Sequence, residues 1–451
     1  MEHRVLSPTA ILGYGFPEES FRRGIEAKPD VIAVDAGSTD PGPYYLGAGK
    51  SFTAREAVKR DLGLMLNASV SMGVPLIIGS AGGGGAKPHV DWTTQIVEET
   101  AVEQRLAFRM GVIYADLSPV EVLEHWENGR VSPLRSVPPL DRTAILGSAR
   151  IVAQFGTEPI QEALSLECQV IVCGRCYDPA PFAAAAIVEG HDPGPALHMG
   201  KILECGAIAA TPGSGRDCVL GRLSQNGFVL EALDPTRRFT AMSTAAHTLY
   251  EKSDPYFLPG PGGMLDLRGV RFEELGDGRV RVSGSRFDRE VRPTVKIEGV
   301  RRIGFRTICV AGVRDPIMIA RIEELVDRVK DDVLPDPHDP SMGSLQFRLY
   351  GRNGVMGALE LMASAAPHEL GIVIDAVAET QEKADALCGI ARSTLLHLGY
   401  SGRISTAGNL AFPHSPSDVS CGEVYEFSIY HLLEVEDPAG MFRVRVAEVS
   451  P

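Results

Sequence analysis

The first half of the chain repeats one pattern, in which a short apolar run enters a glycine-rich or acidic turn and an amphipathic segment follows. The apolar runs are continuous and do not alternate with polar residues, which is typical of parallel strands buried on both faces. Strands that alternate with helices predict an α/β fold with an N-terminal parallel, Rossmann-like sheet. The predicted strands are residues 9–13, 31–35, 76–79, 112–115 and 170–174, and the predicted helices are residues 54–71, 92–106, 120–126 and 159–166.

The pattern changes at the proline- and glycine-rich residues 257–263. Two strand-like runs then flank a glycine turn and predict a hairpin of residues 270–275 and 279–284. The remaining segments have the order βαββαβ, which is typical of a ferredoxin-like unit of α+β type. Its predicted strands are residues 306–311, 345–350, 371–378 and 424–430, and its predicted helices are residues 316–330 and 380–398. We therefore predict an α/β domain over residues 1–260, with glycine-rich strand-end loops, and an α+β domain over residues 261–451.

Charge and composition argue against several classes of protein. The chain has 44 Lys and Arg against 58 Asp and Glu, a formal net charge of −14, whereas nucleic-acid and anionic-membrane proteins need a basic surface. The uncharged residues 62–86 are rich in glycine and serine, which makes them a poor bilayer segment. A polar start and eight scattered cysteines predict a cytoplasmic protein with free thiols.

Acids and hydroxyls follow the second predicted strand. Asp35 ends this strand, and Ser38, Thr39 and Asp40 follow within five residues. At the carboxyl end of a parallel strand, such side chains face the crevice where open α/β sheets bind ligands. Asp35 is therefore a candidate proton-transfer residue, and Ser38 and Thr39 are candidate substrate-binding residues. The alternative is a capped turn with a purely structural role.

The third turn contains four consecutive glycines after a buried strand. It is not a phosphate-binding Walker A loop, because glycine stands where that motif requires lysine. Exposed main-chain N–H groups of such a turn can bind a phosphate or carboxylate, and the alternative is a flexible hinge or lid. The candidate substrate-binding residues of this region are Gly79, Ser80, Gly82, Gly83, Gly84, Gly85 and His89.

A second polar group follows the fifth predicted strand. Arg175 could clamp a carboxylate with two parallel donors, and Asp178 could orient it or act as a general base. The alternative is an Arg–Asp pair that ties the loop. Further along, Glu204 is a candidate acid or base. The histidines show no metal-ligand spacing, so we predict no metal site, and no cofactor is indicated.

Several segments together resemble the AtuA-type acyclic terpene utilisation family. They are residues 35–43, the glycine turn 79–85, and residues 173–178, 201–207, 253–256 and 277–284. The resemblance implies a soluble cytoplasmic protein that takes part in bacterial catabolism of branched acids or their CoA thioesters. It also implies a small companion protein, fused or separate. It carries over no catalytic residues. Members commonly have Val where this chain has Cys176, which indicates that this position packs and does not react.

These observations favour an enzyme that acts on a branched carboxylic acid or its acyl-CoA thioester. We expect a lyase or hydratase, although a hydrolase would use similar groups. The alternative is a non-catalytic accessory subunit that binds CoA or a nucleotide for a partner enzyme. The expected partners are a small-molecule substrate, a second copy of the chain and a small companion protein, with neither nucleic acid nor membrane. The candidate catalytic residues are Asp35, Arg175, Asp178 and Glu204.

Overall fold

The computed structural model describes residues 2–134, 137–334, 336, 342–362, 367–404 and 407–451. It confirms the α/β class, with helices that alternate with strands along the first half of the chain. The chain divides into two compact units. Unit 1 consists of Met1–Arg301 and Phe427–Pro451, and unit 2 consists of Arg302–Glu426.

The strands are numbered along the chain, and two of them, β15 and β18, have residues in both units. Their bounds are β1 His3–Ser7, β2 Val31–Asp35, β3 Leu76–Gly79, β4 Phe108–Ile113, β5 Val131–Pro133, β6 Arg150–Gln154, β7 Val170–Cys173, β8 Val219–Ser224, β9 Gly227–Ala232, β10 Phe257–Gly260, β11 Gly263–Asp266, β12 Arg271–Glu274, β13 Val280–Ser283, β14 Arg286–Arg289, β15 Thr294–Val313, β16 Ser344–Tyr350, β17 Leu370–Ala378, β18 Asp418–Glu434 and β19 Val444–Val449.

The α-helices are numbered in the same way. Their bounds are α1 Glu18–Glu26, α2 Pro43–Ala48, α3 Arg55–Met72, α4 Lys87–Gln104, α5 Pro119–Glu127, α6 Arg142–Leu146, α7 Glu158–Ser165, α8 Ala180–Val188, α9 Pro193–Leu203, α10 Ala241–Thr248, α11 Pro316–Ala320, α12 Ile322–Val333, α13 Gln381–His397 and α14 Pro438–Met441. Within the described ranges, no helix is long and apolar enough to cross a membrane.

A ten-stranded sheet forms the centre of unit 1, in the order β12-β13-β9-β8-β1-β2-β3-β7-β4-β19. The five strands from β1 to β4 in this order are parallel, and the flanking strands are antiparallel. Alternate residues of β2 pack into opposite cores: Val31 and Ala33 lie with residues of α7, α8 and α9, whereas Ile32 and Val34 lie with residues of α3 and α4. Both faces of the parallel strands are therefore buried, as their continuous apolar runs predicted.

The first strand was predicted at the wrong place. The sheet begins with β1 at His3–Ser7, and residues 9–13 form turns instead of a strand. The polar ends of β1 hide it in the sequence, but each of these two side chains has a hydrogen-bond partner far away in the chain. His3 Nδ1 lies 2.9 Å from the carboxylate of Glu189, and the Ser7 hydroxyl donates to the carbonyl of Leu203. Hydrogen bonding thus allows polar residues in a buried strand.

The glycine turn after β1 binds a carboxylate of the protein itself. The amides of Gly13 and Gly15 donate to Asp61 Oδ2 at 2.9 and 3.0 Å. Asp61 lies on α3 and is only 1% exposed. A nucleotide phosphate at these two amides would have to displace this buried side chain, so the turn functions here as an internal anion site.

Unit 2 has the predicted element order, with β15, α11 and α12, β16, β17, α13 and β18 in succession. Its strands lie side by side in the order β16-β17-β15-β18, which is the order of a split-βαβ arrangement. The segment predicted as one helix at 316–330 forms two, α11 and α12. The predicted hairpin is present as β12 and β13, and it pairs with β9 within unit 1. The boundary predicted near residue 260 therefore falls inside unit 1, and the units divide at residues 301 and 426.

We expect the replacement Asp61→Ala to lower the free energy of unfolding by about 2–4 kcal/mol, because two amides of the first turn lose a charged acceptor. Asp61→Asn retains an acceptor oxygen and should cost about 1 kcal/mol. Urea unfolding of both variants measures the difference. Equal, small losses for the two variants would contradict the role assigned to this carboxylate.

Candidate functional site

Three neighbouring strands bring most of the predicted polar residues to one edge of the sheet. Strands β2, β3 and β7 are adjacent and parallel, with Asp35 opposite Gly79 in register. Their carboxyl ends therefore meet, and the turns that follow carry Ser80 and Arg175. This is the edge at which open α/β sheets bind ligands.

The guanidinium of Arg175 lies at the centre of this edge and is 2% exposed. Its Nε donates to Glu298 Oε2 at 2.9 Å. Its Nη1 lies within hydrogen-bond distance of Ser80 Oγ at 3.1 Å, the Cys176 carbonyl at 2.9 Å and Asp178 Oδ1 at 3.0 Å. The Arg–Asp pair proposed as the structural alternative is thus present. Binding of a substrate carboxylate by Arg175 remains a prediction.

Glu298 on β15 is the residue of this edge that the sequence analysis missed. It is fully buried, and it accepts hydrogen bonds from Thr39 Oγ1 at 3.1 Å and Lys296 Nζ at 2.7 Å in addition to that from Arg175. Burial raises the pKa of this carboxyl, but the two cations outweigh it and lower the pKa to about 2. The sequence did contain a signal for this residue, because the charged side chains of Lys296 and Glu298 interrupt an otherwise apolar run.

Ser80 adopts a strained backbone conformation at the end of β3. Its φ of +41° lies in the left-handed region, which residues other than glycine rarely adopt. The side chain is fully buried, and its hydroxyl lies 3.1 Å from Arg175 Nη1 and 3.4 Å from the amide of Cys176. These bonds hold the turn after β3 against the turn after β7. Strain of this kind is typical of positions fixed for a function.

Lys201 and Glu204 on and after α9 form a second buried ion pair, with Nζ 2.5 Å from Oε1. Both side chains are less than a tenth exposed. Burial raises the pKa of Glu204, the nearby Asp178 adds to this, and Lys201 opposes it, which leaves the pKa at about 7. Although burial lowers the pKa of Lys201, Glu204 and Asp178 raise it above its ordinary value. This pair therefore combines an ammonium that the neighbouring acids stabilise with a carboxyl that ionises near neutral pH.

Asp35 is 3% exposed, and its Oδ1 has no hydrogen-bond partner among the described residues. Burial raises its pKa well above the ordinary value, and the carboxylates of Asp178 and Glu204 raise it further. The protonated form of this side chain is therefore favoured over its carboxylate. A Cβ at Gly79 would lie 3.2 Å from this oxygen, so the glycine leaves room for the carboxyl group.

A cavity of about 500 Å³ in unit 1 opens beside these residues. Three predicted or adjacent site residues, Arg175, Asp178 and Lys201, contribute to its wall. Much of the remaining wall is aromatic or aliphatic. These apolar residues are Leu134, Tyr177, Phe257, Leu258, Pro259, Pro261, Tyr430 and Leu432. Such a mixture of apolar wall and a few charged groups is typical of small-molecule sites. Ser38 does not line the cavity; its hydroxyl accepts from the Asp40 amide within its own turn.

The glycine loop after β3 is buried and closely packed by the protein's own atoms. An added Cβ would lie 2.5 Å from the Phe52 ring at Gly83 and 2.2 Å from the Arg175 amide nitrogen at Gly85. Gly82 and Gly84 approach His89 in the same way, at 2.8 and 2.9 Å. Close packing accounts for these four glycines, and their role in anion binding remains a prediction.

The hydrogen-bond partners of His89 and of His198 are not among the charged groups of this site. His89 is buried, and its Nε2 lies 3.1 Å from the Tyr45 carbonyl and 3.2 Å from the Lys50 carbonyl. His198 lies between the hydroxyls of Ser285 and Thr248. In the part of the chain that the structure describes, no group of three or more His, Cys, Asp or Glu side chains could hold a metal ion.

We expect Gly83→Val to destabilise the fold by about 2–5 kcal/mol, because the side chain would overlap Phe52 and the backbone has a φ of +92°. Gly42→Val is a matched control. Gly42 also has a positive φ, +113°, but no heavy atom lies within 4 Å of its added Cβ. Gly42→Val should therefore lower the free energy of unfolding only through backbone strain, by about 1–3 kcal/mol. Urea unfolding compares the two, and wild-type stability for Gly83→Val would refute the packing explanation.

We expect Arg175→Lys to lower the free energy of unfolding by about 2–4 kcal/mol, because lysine cannot donate to both Glu298 and Asp178 in the geometry of the guanidinium. Arg142→Lys is the control, since Arg142 is 62% exposed and pairs with Glu127. Its change should stay below about 1 kcal/mol. Thermal and urea unfolding measure both variants. A small change for both would mean that Arg175 behaves as a surface ion pair.

Comparison with known proteins identifies the family. A family model described as "Acyclic terpene utilisation family protein AtuA" matches residues 56–218 and 224–415. These segments include Arg175, Asp178, Lys201, Glu204 and Glu298, whereas Asp35 and Thr39 precede them. Comparison with the curated proteins gave no match, and neither did comparison with the solved structures. The model covers well over half of the chain, and the chain therefore belongs to the AtuA family of acyclic terpene utilisation proteins.

Proposed function

We propose that the protein is a catabolic enzyme of acyclic terpene utilisation that acts on a branched carboxylic acid or its acyl-CoA thioester, as a lyase or hydratase. Family membership supports the role in terpene utilisation. The observation that carries the proposed chemistry is the wall of the cavity, where the carboxylate of Asp178 and the ammonium of Lys201 line the same space. The ionisable carboxyl of Glu204 lies 2.5 Å behind that ammonium.

The size and the largely apolar wall of the cavity support a substrate with a hydrocarbon chain. Its volume of about 500 Å³ lies in the range of small-molecule sites, and aromatic and aliphatic side chains such as Phe257, Leu258 and Leu432 form much of the wall. Burial of an alkyl chain there is worth about 0.8 kcal/mol per CH₂ group. Apolar contacts of this kind bind the part of the substrate that does not react, while the charged wall acts on the carbonyl end.

Addition of water to a double bond beside a carbonyl group needs a base, an acid and a donor to the carbonyl oxygen. Asp178 is the proposed base that takes a proton from water, and Arg175 holds its carboxylate at 3.0 Å. Lys201 is the proposed donor to the carbonyl oxygen, where negative charge develops as water adds to the β-carbon. Glu204 then supplies the proton that the α-carbon receives, through Lys201. Elimination runs through the same steps in reverse.

We expect the purified protein to hydrate a branched α,β-unsaturated substrate such as geranate or geranoyl-CoA. Asp178→Asn should reduce kcat/KM by about 10²-fold or more, because the base is lost while the fold is kept. Asp288→Asn, which changes an exposed acid of the same unit, is the control and should retain activity. Product formation followed by mass spectrometry, with melting temperatures of all three proteins, makes the comparison. Wild-type turnover in Asp178→Asn would contradict the mechanism, and tight binding of CoA without turnover of any acid or thioester would favour the accessory-subunit alternative.

The hydration rate should also depend on the ionisation of Glu204. In the hydration direction Glu204 must hold a proton, so kcat should decrease as pH rises through about 7, the pKa that burial and Asp178 give this carboxyl. In the dehydration direction the carboxylate is required, and kcat should instead decrease as pH falls through the same value. Glu204→Gln should remove this ionisation from both profiles. An unchanged profile in that variant would exclude Glu204 as the proton carrier.

A further inference from the structure

Three lysines line the cavity, and they differ in their partners. Lys201 pairs with Glu204 at 2.5 Å, and Lys296 pairs with Glu298 at 2.7 Å. Lys252 Nζ is shielded from solvent and has no hydrogen-bond partner among the described residues. A buried ammonium without a partner is costly, so its presence in a cavity wall points to an anion that comes from outside the chain.

The surroundings of Lys252 lower its pKa but leave the side chain mostly charged at neutral pH. Burial lowers its pKa, and the ammonium of Lys201 lowers it further while Asp254 opposes this, which leaves the pKa at about 8. In most molecules Lys252 is therefore still protonated near pH 7. Lys252 directly precedes residues 253–256, one of the segments that carry the family resemblance and for which the catalytic proposal has no use.

The charges around the cavity indicate how much negative charge it accepts. Four acidic and four basic side chains line it, and Glu204 and Glu298 lie behind Lys201 and Lys296. Acids and bases are thus equal in number along the wall, so the wall has no excess of cations for a ligand with several negative charges, such as the phosphates of CoA or of a nucleotide. A single carboxylate needs only one free ammonium. The charged lining residues are Asp40, Arg175, Asp178, Lys201, Glu251, Lys252, Glu290 and Lys296.

We propose that Lys252 binds the carboxylate of a free branched-chain acid and that the substrate of the proposed function, on which this inference rests, is the free acid and not its CoA thioester. The substrate carboxylate accepts hydrogen bonds from the ammonium of Lys252, which has no partner among the residues that the structure describes. The alkyl chain lies along Phe257, Leu258 and Pro259, which follow Lys252 in the chain and line the same cavity. Lys252 is thus a binding residue that selects for a monoanion.

Isothermal titration calorimetry with geranate, its uncharged amide and geranoyl-CoA tests this assignment. We expect wild-type protein to bind geranate at least about tenfold more tightly than the amide. Lys252→Met should lose about tenfold or more in affinity for geranate and little for the amide, whereas Lys252→Arg should retain geranate binding. Lys383→Met is the control, because Lys383 is 52% exposed, pairs with Glu379 and lies in unit 2.

The pH dependence separates a direct contact from a structural effect. Between pH 7 and pH 9 wild-type protein should lose up to about tenfold in geranate affinity, as an ammonium with a pKa of about 8 loses its proton. Lys252→Arg should keep its affinity over this range, because arginine stays charged. Melting temperatures show that each variant is folded.

The outcomes distinguish this inference from the proposed function. Equal geranate affinity in wild type and Lys252→Met would overturn the inference, and so would binding of geranoyl-CoA but not geranate; turnover of the thioester would then leave the proposed function standing. Binding of geranate that depends on Lys252, without any turnover, would support the anion site and contradict the proposed chemistry. Failure of wild type to bind any of the three probes would overturn both.

Discussion

The buried contact between Arg175 and Glu298 is the interaction on which the candidate site depends. It joins the turn after β7 to strand β15, two segments that lie 123 residues apart in the chain. Neither group can be left alone, because a buried charge without a partner costs several kcal/mol. Ser80 and Asp178 complete the coordination of the guanidinium, so the turns after β3 and β7 are fixed by the same contact. The position of the proposed base thus follows from the need to neutralise one arginine.

This arrangement concentrates acids, and burial together with repulsion between neighbouring carboxylates raises the pKa of Asp35 and of Glu204. Asp35, Asp178 and Glu204 lie close enough that each of the two others raises the pKa of Asp35, and Asp178 raises that of Glu204. Glu298 has two cations at hydrogen-bond distance and stays ionised. One edge of the sheet therefore holds carboxyl groups whose pKa values are shifted in opposite directions. Pairs of this kind allow one site to donate and accept protons.

The sequence predicted much of the fold because burial on both faces leaves a continuous apolar run that is readable without a structure. Strands β2, β3 and β7 were placed correctly for this reason, and the turn residues Asp35 and Arg175 followed from them. Strand β1 was missed, since its polar ends find their hydrogen-bond partners in distant parts of the chain. Glu298 and Lys252 were missed for a related reason. Their importance comes from what lies beside them in space, and strand order brings those neighbours together only after folding.

The sequence alone does not distinguish a site for an external anion from a site that binds a carboxylate of the chain itself. Glycine turns and arginines that could bind an external anion are also where the chain can place its own carboxylates. Asp61 occupies the first glycine turn, Asp178 and Glu298 contact Arg175, and Glu204 contacts Lys201. A carboxylate of the chain competes well with an external anion because it loses no translational freedom when it forms the contact. A cation that remains without such a partner, inside a cavity, is therefore a stronger indication of a ligand than any motif, although nothing in its local sequence sets it apart.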